Sequence, residues 1–332
     1  MSIRIIAKGG GGIEALRIEE SPIPKPQAGE AVVRLRAASL NYRDLIGVRG
    51  ALPGMTKEPD YVPLSCGAGE VVAVGAGVTH VRVGSRVSPI FAQGWLSGGA
   101  ENMGRSHLGG SVDGVARSHA AFDAENLVLL PDTIGDLEAA TLPCAGITAW
   151  SAITLARAVR PGDLVLVQGT GGVSIAALQF AKAAGAEVIV TSSSDAKLAR
   201  ARALGADYLV NYRTTPDWAG EARRVAGRGA DLVVDVVGTG SLEASATSLA
   251  PGGAIAAIGM LDGGFSWGAE IGVPVVPVTV GSRDAVEAML RAITANRIRP
   301  VVDRVWPLDR LADALRALET GAFFGKIGIA ID

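Results

Sequence analysis

Thiols are scarce: of 332 residues only Cys66 and Cys144 are cysteines. Two cysteines far apart in the chain supply neither a disulfide framework nor a cysteine-rich zinc lobe, and they suit a reducing cytosol. Histidine is rare too, and His80, His107 and His119 lack metal-ligand spacing, so each reads as a surface or loop residue. Charge of one sign is also missing. With 31 basic against 33 acidic residues the formal charge is -2 and no long run of either sign occurs, which argues against nucleic acid and anionic membrane as partners and leaves a small molecule. No apolar run approaches the ~18 residues of a membrane span. Met1 to Glu14 lacks a basic segment followed by a long apolar one, so a soluble, untargeted, cytoplasmic protein is expected.

The chain is long enough for about two domains. Its most informative stretch is Val165-Leu166-Val167-Gln168-Gly169-Thr170-Gly171-Gly172-Val173-Ser174, an apolar β-type run, a glycine-dense turn and a helix start. Glycines at 169 and 171 permit a tight turn and close backbone approach, and the amides opening the next helix point at an anion along a favourable dipole. Ala176, Ala177, Phe180, Ala181 and Ala184 then recur at helical spacing, and Gly185 supplies a stop. This strand, turn and helix predict a dinucleotide pyrophosphate site at Gly169, Thr170, Gly171, Gly172 and Val173. Because the third fingerprint position is Ser174, a purely structural turn is the competing reading.

Up to about residue 130, short β candidates (Ala31 to Ala37, Gly69 to Val74, Val81 to Val87) alternate with Gly and Pro clusters, predicting an irregular β-rich barrel; Gly9 to Gly12 reads as a hairpin tip. From Asp136 on, strand-like runs at Glu187 to Thr191, Tyr208 to Val210, Asp231 to Val237 and Ala254 to Ile258 alternate with helical segments. That pattern predicts an α/β fold with a doubly wound parallel sheet. Helices are expected over Arg283 to Ala295 and around Leu308 to Glu319, with a closing strand at Lys326 to Ile331 returning to the first domain. The run from Val273 to Val280, with Pro274 and Pro277, reads as an edge strand able to pair across a dimer axis.

These features resemble the medium-chain dehydrogenase/reductase superfamily, specifically its zinc-free quinone-oxidoreductase-like branch, over essentially the whole chain. The resemblance is carried by Pro22-Ile23-Pro24-Lys25-Pro26, Gly29-Glu30, Ala38-Ser39-Leu40-Asn41-Tyr42-Arg43-Asp44, Gly67-Ala68-Gly69-Glu70-Val71-Val72 through Val83-Gly84-Ser85-Arg86-Val87, Ala139 to Ala149, the glycine turn, and Phe324-Gly325-Lys326-Ile327. It implies a GroES-like β-rich catalytic domain (residues 1–145 and 283–332), a Rossmann domain (146–282), an active-site cleft between them, and commonly a homodimer. It also places Asn41 and Ser65 where zinc alcohol dehydrogenases carry a cysteine and a histidine ligand. Cys144 matches the third ligand, but one thiolate does not make a three-ligand open site, so no bound metal is expected and Cys144 is read as packing or lining the cleft. The segment Phe91 to Arg105 holds no cysteine, so a structural zinc lobe is missing as well.

The position for the ribose-binding acid of an NAD enzyme is taken by Ser192, Ser193 and Ser194. Hydroxyls and a nearby cation accept a 2′-phosphate that a carboxylate would repel. Lys197 fits that role, and Tyr212 and Arg213 resemble the branch's phosphate contacts, so NADPH is preferred to NADH. Asp195 competes as a ribose ligand but is better placed as a helix N-cap. The family resemblance places Thr148 under the nicotinamide and Asn41, Tyr42 and Ser65 in or beside the cleft as candidate catalytic residues. Gly238, Ile258, Gly259 and Met260 should border the nicotinamide, and Phe91, Trp95 and Trp267 are candidate apolar walls of the site, with plain packing the competing reading.

Relatives often carry a tyrosine where this chain has Gly50-Ala51-Leu52, so the proton donor is left among Tyr42, a serine or water; Arg43 and Asp44 read as a structural ion pair. Without a Lewis acid, hydride transfer suits an electron-poor quinone, enone or other activated carbonyl. The alternatives are an NADP-dependent alcohol or aldehyde oxidoreductase and a nucleotide-binding protein without turnover.

Overall fold

The structure is a computed structural model that describes residues 2–50, 56–259, 261, 262, 264 and 267–332. Met260, expected beside the nicotinamide, lies outside the described residues, as do Ala51 and Leu52. The chain divides into two units, Met1–Ile147 with Val280–Asp332, and Thr148–Thr279.

The first unit opens with β1 (Ser2–Lys8), β2 (Arg17–Ser21), β3 (Glu30–Ser39), α1 (Tyr42–Arg49), β4 (Asp60–Tyr61), β5 (Cys66–Val74), β6 (Arg86–Pro89), β7 (His119–Asp123), β8 (Leu127–Leu129) and α2 (Asp136–Ala139). A short helix α3 (Ile147–Ser151) follows a π-helical turn at Leu142–Gly146. The second unit runs β9 (Leu164–Gln168), α4 (Gly172–Ala183), β10 (Glu187–Ser192), α5 (Asp195–Ala203), β11 (Tyr208–Asn211), α6 (Trp218–Ala226), β12 (Ala230–Asp235), α7 (Leu242–Ser248), β13 (Leu249–Ala257) and β14 (Val275–Pro277). The chain then adds α8 (Arg283–Ala295), β15 (Val302–Pro307), α9 (Leu311–Glu319) and β16 (Lys326–Ala330) to the first unit.

In the first unit β3 is central. It pairs antiparallel with β5, β7 and β16, so the Cys66 end of β5 lies opposite Ser39, and β16 meets the same end of β3 through Gly328. Two segments distant in sequence are thereby brought to the loop that leaves β3 and enters α1. The expected strand over Val81 to Val87 is corrected: β6 starts only at Arg86, because Val81 to Ser85 makes a turn around Gly84, whose φ of 87° favours glycine. Of the histidines, His119 opens strand β7 rather than lying in a loop, while His107 is in a loop, half-buried and stacked on Phe91 with ring centroids 5.3 Å apart.

The second unit holds a parallel sheet in the order β11-β10-β9-β12-β13-β14. Every residue of β9 is buried, as expected of a strand covered on both faces, and Val167 pairs with Val190 on one side and Val234 on the other. The order reverses between β9 and β12, and such a switch point leaves a crevice beyond the carboxyl ends of the strands. Helix α4 buries Ile175, Leu178 and Phe180, each worth roughly 1.5–3 kcal/mol of burial, which fixes its start beside that crevice. Gly185, with φ 83°, follows its C-cap.

Candidate active site

At the carboxyl end of β9, Gly169 adopts φ 72°, a left-handed turn that a side chain would strain, and Gly171 caps α4 with extended backbone. Ser174, the third fingerprint position, donates its hydroxyl to the Gln168 carbonyl at 2.7 Å and ties the first turn of α4 to the strand end. A Cβ built on Gly171 meets nothing within 4 Å, so the space before the helix amides is open. Thr170 is buried, while Gly172 and Val173 are half-buried in the first turn. Thr148 is also buried, in α3.

The next strand ends in hydroxyls. Ser192 is buried and receives the Ser194 amide at 3.3 Å; Ser193 is half-buried. The N-cap of α5 is Ser194, which accepts the Lys197 amide at 3.4 Å, and this corrects the assignment of Asp195 as the cap. Asp195 is instead the first helical residue, and its carboxylate is taken by the Asn211 amide at 2.7 Å. Lys197 sits in the first turn of α5. Tyr212, exposed, leaves β11 with its amide on the Ser192 carbonyl at 3.1 Å, and Arg213 beside it is exposed. Two strand ends thus present serines, a phenol and cations, with the nearest carboxylate already engaged.

One residue that sequence reasoning passed over organises the far side of the crevice. Asp235, wholly buried at the end of β12, accepts the amides of Val237 and Gly238 at 3.0 Å and the hydroxyls of Ser241 at 2.6 Å and Ser245 at 2.9 Å. Its carbonyl receives the amides of Ile258 and Gly259. Ser245 also receives the Gln168 amide, linking β9 to the same hub. Gly238 (φ 121°) and Gly259, where a Cβ would lie 2.1 Å from the Val236 carbonyl carbon, are therefore fixed by geometry. A carboxylate closing an apolar strand was the available signal.

The first unit carries a second, denser cluster where β3 leads into α1. The Asn41 amide N–H donates to Asp44 at 2.8 Å, half of a capping box that starts the helix. The Asn41 side chain donates to Ser65 Oγ at 3.2 Å and Cys66 Sγ at 3.1 Å, and its Oδ1 accepts the Lys326 ammonium at 2.6 Å. Lys326 also donates to the Leu40 carbonyl. Asn41, Asp44, Ser65, Cys66 and Lys326 are all buried, whereas Tyr42 is 41% exposed and its phenol makes no hydrogen bond among the described residues. Cys144 lies beside Cys66, and each thiol influences the ionisation of the other.

Burial pushes the Asp44 carboxyl up, against Arg43, the Asn41 hydrogen bond and Lys326. Burial also opposes ionisation of Cys66, but the hydrogen bond from Cys144 and the Lys326 ammonium outweigh it and bring this thiol down. Cys144, donor to Cys66 and itself desolvated, is pushed up. Lys326 had no role assigned from sequence, and its position between apolar neighbours on the last strand was the only hint. Phe91 and Trp95 are buried in the first unit, and Trp267 donates to the Ala257 carbonyl at 2.8 Å in the second.

The matched family descriptions are an alcohol dehydrogenase GroES-like domain over residues 27–132 and a zinc-binding dehydrogenase over residues 172–306. A zinc-type alcohol dehydrogenase-like protein of Schizosaccharomyces pombe is 40% identical over 97% of this chain and 96% of its own length. A solved NAD-dependent alcohol dehydrogenase is 34% identical with a TM-score of 0.89, covering 99% of this chain and all of that one. A mycobacterial protein solved with NADPH is 25% identical with a TM-score of 0.80, again across 99% of this chain and all of the other. This chain belongs to the medium-chain dehydrogenase/reductase superfamily, with a GroES-like β-rich unit and a Rossmann unit. It is a nucleotide-dependent oxidoreductase. Among the described residues no helix is long and apolar enough to cross a membrane.

The name of the second family raises the question of zinc. Among the described residues no group of three or more His, Cys, Asp or Glu is arranged to hold a metal ion. The positions the family gives to ligands carry Asn41 and Ser65, whose polar atoms are engaged with each other and with Asp44, and the Lys326 ammonium already occupies the Asn41 carbonyl. A buried cation bonded inside the would-be ligand set does not fit a zinc centre.

Proposed function

We propose that this protein is a metal-independent, NADPH-dependent reductase of a quinone or an α,β-unsaturated carbonyl. The carrying observation is the Lys326 ammonium buried on Asn41, fixed positive charge at the place the family assigns to a metal ligand. When bound, the reduced nicotinamide supplies a hydride. The second unit holds the nucleotide: Gly169, Thr170, Gly171, Gly172 and Val173 take the pyrophosphate on open helix amides, and Ser192, Ser193, Lys197 and Tyr212 take the ribose phosphate, since the strand ends in hydroxyls and Asp195 is already engaged. Thr148, Gly238, Ile258 and Gly259 border the nicotinamide.

The first unit receives the acceptor. Asn41 and Ser65 are positioning residues, because their polar atoms bond inward, whereas the exposed Tyr42 phenol donates a hydrogen bond to the acceptor oxygen and delivers the proton. Positive charge held by Lys326 stabilises the enolate-like oxygen that develops as hydride arrives. Two free thiols suit a reducing compartment, and β14, at the sheet edge with Pro277 in it, serves as the pairing strand of a homodimer.

The relatives' names favour alcohol oxidation as the second reading. A steady-state panel decides between them. Oxidation of NADPH by enones and quinones, with little reduction of NADP by saturated alcohols, is expected. The reverse pattern overturns the proposal, and tight NADPH binding with no turnover of any acceptor makes the protein a non-catalytic binder.

A further inference from the structure

Arg43 is the one group of the first-unit cluster whose chemistry the reductase reading does not exhaust. Its side chain is only 16% exposed, yet its sole carboxylate contact is Asp44 at 3.5 Å, and Asp44 is shared with the Asn41 amide and the Ser65 hydroxyl. Nη1 is pinned by the carbonyls of Leu108 at 3.2 Å and Gly109 at 3.3 Å, and the guanidinium lies 5.0 Å from the centroid of Phe91. These contacts fix its plane and leave Nε–H and Nη2–H without a hydrogen bond among the described residues, on a side chain that keeps 16% of its surface exposed.

Asp44 is the carboxylate beside it. The groups facing the cluster are Arg43 and Asp44 from α1, Tyr61 from β4, Cys66 from β5, His107 from its loop, Cys144 and Lys326. Burial and then Arg43 itself keep His107 neutral, and Tyr61 is held protonated mainly by burial. Lys326, buried, and Arg43, 16% exposed, share the Asp44 carboxylate and the Cys66 thiol whose ionisation Lys326 favours, and an anion at the open edge of Arg43 adds a partner that none of these groups supplies there. A planar guanidinium, held rigid with one edge open, matches a carboxylate in bidentate fashion.

We propose that the acceptor bears a carboxylate and that Arg43 is the residue that binds it, with Lys326, bonded to Asn41 in the same cluster, adding positive potential. This rests on the reductase reading and narrows it to unsaturated oxo-acids. In the reaction, NADPH gives hydride to the alkene carbon β to the carbonyl, a proton goes to the α carbon, and the carboxylate passes through unchanged.

The test pairs (E)-4-oxopent-2-enoate with its methyl ester as acceptors for the full-length enzyme. Wild type should prefer the acid by about 10- to 100-fold in kcat/KM, mostly through KM, as one charge-assisted bidentate contact provides. Arg43→Met should bring the acid-to-ester ratio close to one, and Arg43→Lys should restore part of it. A wild-type ratio near one, or an Arg43→Met ratio like that of wild type, overturns the carboxylate assignment and leaves the reductase reading standing. Failure of both compounds to oxidise NADPH overturns the carboxylate assignment, and failure of carboxylate-free enones and quinones as well overturns the reductase reading with it. If Arg43→Met does not fold, inhibition of wild type decides: the saturated acid 4-oxopentanoate should compete with the acceptor at least about 10-fold more tightly than its methyl ester, and equal inhibition overturns the assignment.

Discussion

The two units build their candidate sites in opposite ways. In the second unit the site is mostly main chain: a left-handed glycine, a helix start with open amides and strand ends bearing small hydroxyls. In the first, it is a knot of long-range side-chain bonds in which Lys326 meets Asn41 across 285 positions of sequence. Main-chain sites recognise what is common to many partners, such as a phosphate. Side-chain knots set local charge and so select the chemistry. The difference teaches that the candidate site of the second unit is written mainly in backbone geometry, whereas that of the first depends on a few buried side chains.

The largest expected effect lies at a place where the second unit also depends on a buried side chain. Asp235→Ala leaves two amides and two hydroxyls without their acceptor and should cost about 3–5 kcal/mol in urea unfolding. A loss under about 1 kcal/mol would show that Asp235 is no hub.

Gly171→Val separates a ligand site from a structural turn. Its φ of -78° and the open space around it predict unchanged thermal stability, with NADPH affinity at least about 10-fold weaker by fluorescence titration. Equal affinity would mean that no phosphate approaches this turn. Ser193→Asp should lower the NADPH-to-NADH ratio of kcat/KM by roughly 10-fold, since a carboxylate repels the 2′-phosphate; an unaltered ratio would move the phosphate site elsewhere.

The smallest effect concerns His107, whose pKa is lowered from 6.5 by burial and then by Arg43. The unfolded chain binds the proton more readily, so stability is fully present above the unfolded value and falls as pH drops through it toward the folded pKa. Urea midpoints at about pH 7.5 and about pH 5.5 should therefore differ less in His107→Gln than in wild type. An identical pH dependence removes the imidazole from the account.

Legibility followed the same division. Local patterns carried most of the second unit, where the runs at Glu187, Tyr208 and Ala254 fall on observed strands, because period and glycine chemistry act over a few residues. Asp195 was misread because two adjacent capping residues compete for one position, and only the hydrogen bond to Lys197 distinguishes them. The run at Val81 failed for a related reason: alternating valines suggest a strand, but the Gly84 turn breaks the ladder. In the first unit the residue types of Asn41 and Ser65 pointed away from a metal, yet the Cys66–Cys144 contact and the Lys326 bond were invisible, since both depend on how β5 and β16 register against β3.

The central claim is that fixed protein charge, with no metal, supports hydride transfer. The direct measurement is NADPH oxidation by an enone before and after exhaustive chelation, with the metal content of the same sample determined. The account predicts no stoichiometric zinc and unchanged turnover. Zinc bound one per chain, with activity lost on its removal and regained on its return, would contradict it.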